Sequence, residues 1–146
     1  MEKVKSDSEI LAEIYRNAQL ALQSISDILP EVDDVQIKEE IMREHEEYEQ
    51  ISGMAAALAR RYGMEIKEPS PVKKAMMWSA IKMNTAADNS SQHIAQMMIK
   101  GTVTGITSLK TTRTDGGEEV DEEIKQLLDR LIALEEGFER RLKKYL

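Results

Sequence analysis

The sequence predicts an all-α protein, an antiparallel four-helix bundle with one short extra helix in the connection that crosses it. Three observations support this prediction. Aromatic residues make up only 4% of the 146 residues, and residues that favour helices, nine methionines among them, are abundant. Apolar residues recur every three or four positions over long stretches, which is the period of an amphipathic helix. Capping residues separate these stretches, so one domain, 1–146, is expected.

The helix boundaries follow from capping residues and from breaks in the apolar pattern. Ser6 and Glu9 form a capping box before the first helix, and Asp33 and Gln36 repeat that pattern before the second. Glycine is the residue type that most often ends a helix, and Gly63 ends the second stretch. The predicted helices cover about 8–29, 34–62, 71–87, 89–112 and 117–145.

The stretch 71–112 is too long to be a single helix of this bundle. Unbroken, it would extend for about 60 Å at 1.5 Å per residue, and the Asp-Asn-Ser-Ser sequence at 88–91 prefers caps to helix interiors. Ser70 and Pro71 suit the start of a short helix before that break. This helix and the loop 64–70 can together cross the roughly 45 Å of the bundle, which favours a crossover connection over a simple up-and-down order.

Charge and composition exclude several functional classes. The formal net charge of −7 argues against a nucleic-acid partner, because phosphate binding requires a basic surface. No cysteine is present, so disulfides, zinc–thiolate sites and thiol catalysis are excluded. No apolar run approaches the ~20 residues of a membrane span, and the first residues lack the apolar centre of a secretory signal. We therefore expect a cytoplasmic protein that binds neither nucleic acid nor membrane.

Two glutamates lie on the apolar faces of their helices. Glu44 is near the centre of the stripe on the second helix, with His45 on its flank, and Glu135 lies within the stripe of the last helix. Each is roughly 15 Å from a helix end, so the two come level if these helices run in opposite directions. Three interpretations stay open: a shared proton or a hydrogen bond to Tyr48 or His45, exposure at a bundle edge, or one metal ion held by Glu44, His45 and Glu135.

This helix order, with His45 on the second helix and Glu135 on the last, resembles the ferritin-like superfamily that includes rubrerythrins and bacterioferritins. Di-iron members use one Glu from each of two helices and a Glu-x-x-His from each of the other two. Here Met42 stands where the glutamate before His45 should be, and Phe138 replaces the histidine after Glu135. At the same level the first and third bundle helices offer Asn17, Ala18 and Met98. These side chains cannot replace bridging carboxylates, so the resemblance implies the fold without a di-iron centre.

The function expected from this resemblance is that of a binding or structural protein, without catalytic residues or a cofactor. The alternative is a metal-binding oxidoreductase or metal-storage bundle in which Glu44, His45 and Glu135 hold a single iron, manganese or zinc ion. A third possibility is a small-ligand pocket between the methionine-rich connecting helix and Tyr48.

A stripe of small residues, Gly101, Gly105 and Ser108, is unusual in a soluble helix, where each glycine costs about 1 kcal/mol relative to alanine. Close packing against another helix or a second subunit is the favoured interpretation, and a pocket is the alternative. We accordingly expect a homodimer. His93 is expected on the surface and Trp78 is expected to anchor the connecting helix. Five methionines are expected to fill the core: Met76, Met77, Met83, Met97 and Met98.

Overall fold

The computed structural model describes residues 5–146, which form five α-helices and two short 3-10 turns. The helices are α1 (Asp7–Ile28), α2 (Val35–Arg61), α3 (Pro71–Ala87), α4 (Ser91–Gly116) and α5 (Glu122–Leu142), and the turns are Leu29–Glu31 and Lys143–Tyr145. No strand occurs in this range, so the all-α prediction is confirmed for it. The predicted domain also includes residues 1–4, which lie outside the described part. Within residues 5–146, no helix combines the length and the apolar character needed to cross a membrane.

The starts of the first two helices show how far local sequence fixes the boundaries. Ser6 and Glu9 form the expected capping box at the start of α1. At α2 the cap is Asp34, whose carboxylate accepts hydrogen bonds from the backbone N–H groups of Gln36 and Ile37. The predicted capping box of Asp33 with Gln36 is therefore wrong by one residue.

The predicted break between the third and fourth helices is confirmed. α3 ends at Ala87, and the Ser90 side chain caps α4 by accepting from the backbone N–H of His93. α4 then continues to Gly116 instead of ending at 112. It stops where Gly117 adopts a φ of 66°, a conformation that glycine reaches without strain.

The helices form two hairpins that pack against each other. α1 packs against α2 and α4 against α5, while α1 also contacts α4 and α2 contacts α5. Arg61 at the end of α2 forms an ion pair with Glu123 at the start of α5. Arg141 at the end of α5 pairs with Glu40 near the start of α2. α2 and α5 therefore run in opposite directions.

The connection between α2 and α4 returns along the length of α2. Asn89, just before α4, donates to the backbone carbonyl of Glu31 at 3.3 Å, so α4 begins beside the start of α2. The far end of α2 is about 40 Å away, since the helix has 27 residues. The segment 62–90 thus runs back as a crossover. At the other end of α4, the backbone N–H of Lys5 donates to the carbonyl of Asp115 at 3.1 Å, which places the start of α1 there.

The crossover helix α3 lies on the outside of this arrangement. It packs mainly against α1, and its only buried residues are Ile81 and Thr85. Met76 and Met83 are 68% and 76% exposed, so the prediction that they fill the core is wrong. Trp78 is half exposed and its ring faces the Lys82 ammonium, 5.8 Å from the ring centroid, so it is a weaker anchor than expected. These side chains are exposed because α3 packs mainly against one helix, α1, which covers only one of its sides.

Candidate functional site

The two glutamates on apolar stripes are both buried. Glu44 of α2 is 1% exposed and Glu135 of α5 is 2% exposed, which rules out the interpretation that they lie at a bundle edge. The opposite directions of α2 and α5 bring them close enough for the charge of Glu44 to raise the pKa of Glu135. The burial predicted from the helical period is confirmed.

Glu44 has one partnered and one unpartnered oxygen. Its Oε2 accepts a hydrogen bond from the Arg141 guanidinium at 2.8 Å. Its Oε1 is buried and has no hydrogen-bond partner among residues 5–146. Burial raises the pKa of Glu44 to about 7, although Arg141 lowers it. The negative charge that remains on Glu44 is balanced by Arg141, which also forms an ion pair with Glu40.

Glu135 is bound to α2 by a tyrosine. The Tyr48 hydroxyl donates to Glu135 Oε2 at 2.8 Å, which is the tyrosine interaction that the sequence left open as one alternative. Burial raises the pKa of Glu135 to about 7; the Tyr48 hydrogen bond lowers it, and the nearby charge of Glu44 raises it again. Burial and Glu135 in turn raise the pKa of Tyr48 well above its ordinary value, so its hydroxyl stays protonated and remains a donor.

The second oxygen of Glu135 faces α4 and α1. Oε1 is buried without a hydrogen-bond partner in the described chain, and so is Oδ1 of Asn17 on α1. A Cβ placed on Gly105 of α4 would lie 2.6 Å from Glu135 Oε1 and 3.2 Å from Asn17 Nδ2. Only glycine allows the α4 backbone to come this close. The unsatisfied Glu135 Oε1 and the amide group of Asn17 therefore approach the same point on α4.

This point is the inner end of a pocket of about 470 Å³ between α1, α3 and α4. Buried Tyr48, Phe138 and Glu135 lie at its inner end, and exposed Arg16 and Lys73 lie at its outer end. Aliphatic and thioether side chains cover the walls between them: Leu20, Ile25, Ile28, Met77, Ile81, Met97 and Met98. The site is thus an apolar cleft with a polar inner end, the usual form of a small-molecule site.

No family model, curated protein or solved structure matches this chain. Its function is therefore argued from the geometry of this site.

The small-residue stripe lines the pocket instead of packing closely along its whole length. Gly101, Gly105 and Ser108 all border the pocket. A Cβ on Gly101 would meet no atom within 4 Å, whereas one on Gly105 would strike Glu135. Close packing against another helix is confirmed at Gly105. Gly101 borders the pocket, and its packing against a second subunit stays a prediction.

The residues predicted to hold one metal ion do not form a cluster. Glu44 and Glu135 are buried together, but His45 is partly exposed and its Nδ1 lies 2.8 Å from Glu49 Oε1. Among residues 5–146, no three His, Asp or Glu side chains are placed to bind one ion. The single-ion site of Glu44, His45 and Glu135 therefore stays a prediction.

The di-iron ligand set of the superfamily does not fit this interior either. Met42, which stands in place of a glutamate, is 51% exposed, and Phe138, which replaces a histidine, is buried against the core. Met98 is buried at the level where a third carboxylate would be needed. The two buried glutamates, Glu135 and Glu44, are held by Tyr48 and Arg141.

The sequence did not predict the surroundings of Arg141 or of His93. Arg141 lies near the C-terminus of α5, where a cation suits the helix dipole, yet it reaches Glu44 because the end of α5 packs beside the start of α2. His93 was expected on the surface, but it is half buried, and its Nε2 is shielded and unpartnered within the described residues. Asn17 carried a usable signal, since it lies beside buried Ala18 on the apolar side of α1.

A second groove, of about 460 Å³, lies on the α2–α5 surface. Met54 and Leu58 of α2 line it together with Leu127 and Arg130 of α5. Arg130 crosses it to donate to Gln50 at 3.0 Å. No buried charged group faces it among the residues that line it, so it gives no indication of a ligand.

Proposed function

We propose that this chain is a ferritin-like antiparallel four-helix bundle, without a di-iron centre, that binds a small organic molecule in the pocket between α1, α3 and α4. The opposite directions of α2 and α5 and the crossover segment 62–90 support the bundle arrangement. The binding role depends on one observation, the buried and unpartnered Oε1 of Glu135 at the inner end of the pocket. A buried polar group without a partner costs about 1–3 kcal/mol, which a ligand could recover.

A purely structural bundle would gain nothing from such a pocket. Protein interiors contain few voids larger than a water molecule, whereas about 470 Å³ lies within the ~300–1,000 Å³ of small-molecule sites. Gly101 helps to keep the space open, because the position next to it is empty. A larger side chain at this position would occupy the pocket without displacing the helix backbone.

The test is a fragment screen by ligand-observed NMR on three proteins: the unmodified chain, Gly101→Leu and Gly53→Leu. Gly53 is the matched control, since it also lies inside a long helix with open space at its Cβ but does not line the pocket. We expect fragments that bind the unmodified protein and Gly53→Leu but not Gly101→Leu. Fragments that bind all three equally, or no binding fragment at all, would contradict the proposal.

The second candidate function is a metal-binding bundle with an altered site. The unpartnered oxygens Glu44 Oε1 and Glu135 Oε1 favour it, because carboxylate oxygens are ligands for iron, manganese and zinc. His45 would have to give up Glu49 to become the third ligand. This candidate requires a rearrangement, and the small-ligand pocket does not.

The proposal includes a homodimer, as expected from the sequence. Of the two glycines on which that expectation rested, Gly105 lies against Glu135 and Asn17, so only Gly101 is available on the surface. Sedimentation velocity at micromolar concentration should give twice the mass of one chain. A monomer over the whole concentration range would remove this part of the proposal.

A further inference from the structure

The chemistry of the pocket restricts the head group that it can bind. Among the residues that line it, the buried side-chain atoms without a hydrogen-bond partner are Glu135 Oε1 and Asn17 Oδ1, within the part of the chain that the structure describes. Glu135 Oε1 lies at the inner end, where the nearest Asn17 atom is the amide Nδ2. The hydroxyl groups of Tyr48 and Thr102 donate elsewhere, to Glu135 Oε2 and to the carbonyl of Met98 at 2.7 Å. Glu135 Oε1 is therefore an acceptor that these hydroxyl groups leave without a donor.

The charge distribution around the pocket favours a cation at the same place. Among the residues that line the pocket, Glu135 is the one buried charged residue, and Arg141, which bonds to Glu44, is not a lining residue. At the outer end Glu13 and Arg16 pair with each other, so these two charges largely cancel. Lys73 is exposed and lies at the solvent end, where water screens its charge.

The walls favour an unbranched or flexible apolar body. They combine the aliphatic side chains Ile25, Ile28 and Ile81 with the thioethers of Met77 and Met97. Methionine side chains adapt to irregular shapes because they have three rotatable bonds and a polarisable sulfur. A pocket with such walls selects its ligand by the polar end and tolerates variation in the apolar end.

We propose that the pocket binds amphiphilic amines, with the ammonium group donating to Glu135 Oε1 and the apolar body lying along the methionine-lined walls. This inference rests on the proposed small-molecule function and specifies its ligand class. An ammonium supplies donors and a positive charge, so it satisfies Glu135 Oε1 and neutralises the carboxylate. A hydroxyl supplies one donor without charge, and a carboxylate would be repelled.

Proton linkage provides an independent readout of the same contact. The groups that face Glu135 are Tyr48 and Glu44 from α2 and Asn17 from α1, and α4 contributes the backbone at Gly105. The pKa of Glu135 is about 7, mainly because of burial. A bound ammonium favours the ionised carboxylate, so amine binding at slightly acid pH should release a proton from the protein.

The experiment compares three probes with the same hydrocarbon body, n-hexylamine, 1-hexanol and hexanoate, by isothermal titration calorimetry. For the unmodified protein we expect the amine to bind at least tenfold more tightly than the alcohol, and hexanoate to bind most weakly. Titrations in two buffers of different ionisation enthalpy, at about pH 6, should show proton release with the amine and none with the alcohol.

Two variants locate the head group. In Glu135→Gln the amine-to-alcohol preference should fall to about threefold or less, while binding of the alcohol stays within about threefold of the unmodified protein. Asn17→Asp, which places a second carboxyl group beside Glu135, should increase the same preference, so it covers the case in which Glu135→Gln does not fold.

The outcomes separate this inference from the proposed function. Pocket-dependent fragments without amine preference would overturn the amine inference and leave the small-molecule function standing. Amine preference that persists in Glu135→Gln would overturn it as well. If fragments bind Gly101→Leu as well as the unmodified protein, the small-molecule function itself is wrong.

Discussion

The hydroxyl of Tyr48 donates a hydrogen bond to Glu135 Oε2 across 2.8 Å, and both residues are almost fully buried. This bond links α2 to α5 at a level where the other buried residues of the two helices are mostly apolar. It fixes the orientation of the carboxyl group and leaves Oε1 directed towards Gly105 and the pocket. The orientation of Glu135 at the inner end of the pocket therefore depends on Tyr48, a residue of a different helix.

Tyr48→Phe should therefore both destabilise the protein and raise the pKa of Glu135 above about 7, because the hydrogen bond that lowers this pKa is lost. We expect a loss of roughly 1–3 kcal/mol in the free energy of unfolding, measured with urea. The pKa can be followed by carbon-13 NMR of labelled glutamate side chains. Tyr62→Phe is the control, since the Tyr62 hydroxyl also donates to a carboxylate, that of Asp121, but in an exposed position. Equal losses in the two variants would contradict the role of the buried bond.

Stability should fall as the pH rises from about 5 to about 8. The pKa values of Glu44 and Glu135 are both about 7, above the ordinary value of 4.5, so between these limits the folded protein holds more protons than the unfolded chain. This stabilising contribution is fully present below the unfolded value and is lost as the pH passes through the folded value. For two groups with this shift, a decrease of up to about 5 kcal/mol in the free energy of unfolding is expected across this range, measured with urea.

Glu44→Gln and Glu135→Gln should each flatten this pH dependence, because an amide does not titrate. Glu39→Gln, which removes an exposed carboxylate of the same helix as Glu44, should leave it unchanged. A slope that survives both core substitutions would show that other groups are responsible.

Arg141 should matter much more than its neighbour Arg140. Arg141 donates to Glu44 at 2.8 Å and also pairs with Glu40, whereas Arg140 is exposed one position earlier in the same turn of α5. Arg141→Gln should cost about 1–3 kcal/mol near neutral pH and raise the pKa of Glu44, since a buried carboxylate loses its cation. Arg140→Gln should cost less than about 0.5 kcal/mol. Comparable effects on urea unfolding would contradict the assignment.

Two glycine-to-alanine substitutions should have opposite signs. Gly53→Ala should stabilise by about 0.5–1 kcal/mol, because its Cβ meets open space and alanine favours the helix. Gly105→Ala would place a Cβ 2.6 Å from Glu135 Oε1, so the carboxyl must move and its bond to Tyr48 weakens. We expect Gly105→Ala to be at least about 1 kcal/mol less stable than Gly53→Ala in thermal or urea unfolding. The same stabilisation at both sites would mean that Glu135 moves away without cost.

Elemental analysis of protein purified without chelators should find no stoichiometric iron, manganese or zinc, because Glu44 and Glu135 are bonded to Arg141 and Tyr48 and no three His, Asp or Glu side chains among residues 5–146 are placed to bind one ion. Stoichiometric metal that is lost in Glu44→Ala and Glu135→Ala would favour the second candidate function. His45→Ala would then test whether the histidine is the third ligand.

Several features could be predicted from the sequence because they depend on neighbours along the chain. The capping box of Ser6 with Glu9 and the break between α3 and α4 are local, since caps satisfy backbone groups within three residues. The burial of Glu44 and Glu135 followed from the helical period, which relates residues of one helix. Where two candidate caps adjoin, as at Asp33 and Asp34, local preference did not decide between them.

The partners of these residues could not be predicted in the same way. Glu44 lies 97 positions from Arg141 and Tyr48 lies 87 positions from Glu135, so their contacts depend on how α2 and α5 are aligned in space. The exposure of Met76 and Met83 likewise reflects the single partner of α3, which the composition of α3 does not reveal.

The sequence by itself determined the order of the helices, the capping box of α1 and the two acidic positions on apolar faces, because these depend on backbone hydrogen bonding and on the 3.6-residue period. The tertiary structure alone decided which oxygen of each glutamate is satisfied and where the pocket lies. The pocket lies in the space between α1, α3 and α4. The close approach of Gly105 to Glu135 leaves Oε1 facing the α4 backbone. Hydrogen bonds and packing between distant helices act over a few ångströms, and sequence spacing does not specify distances of that size.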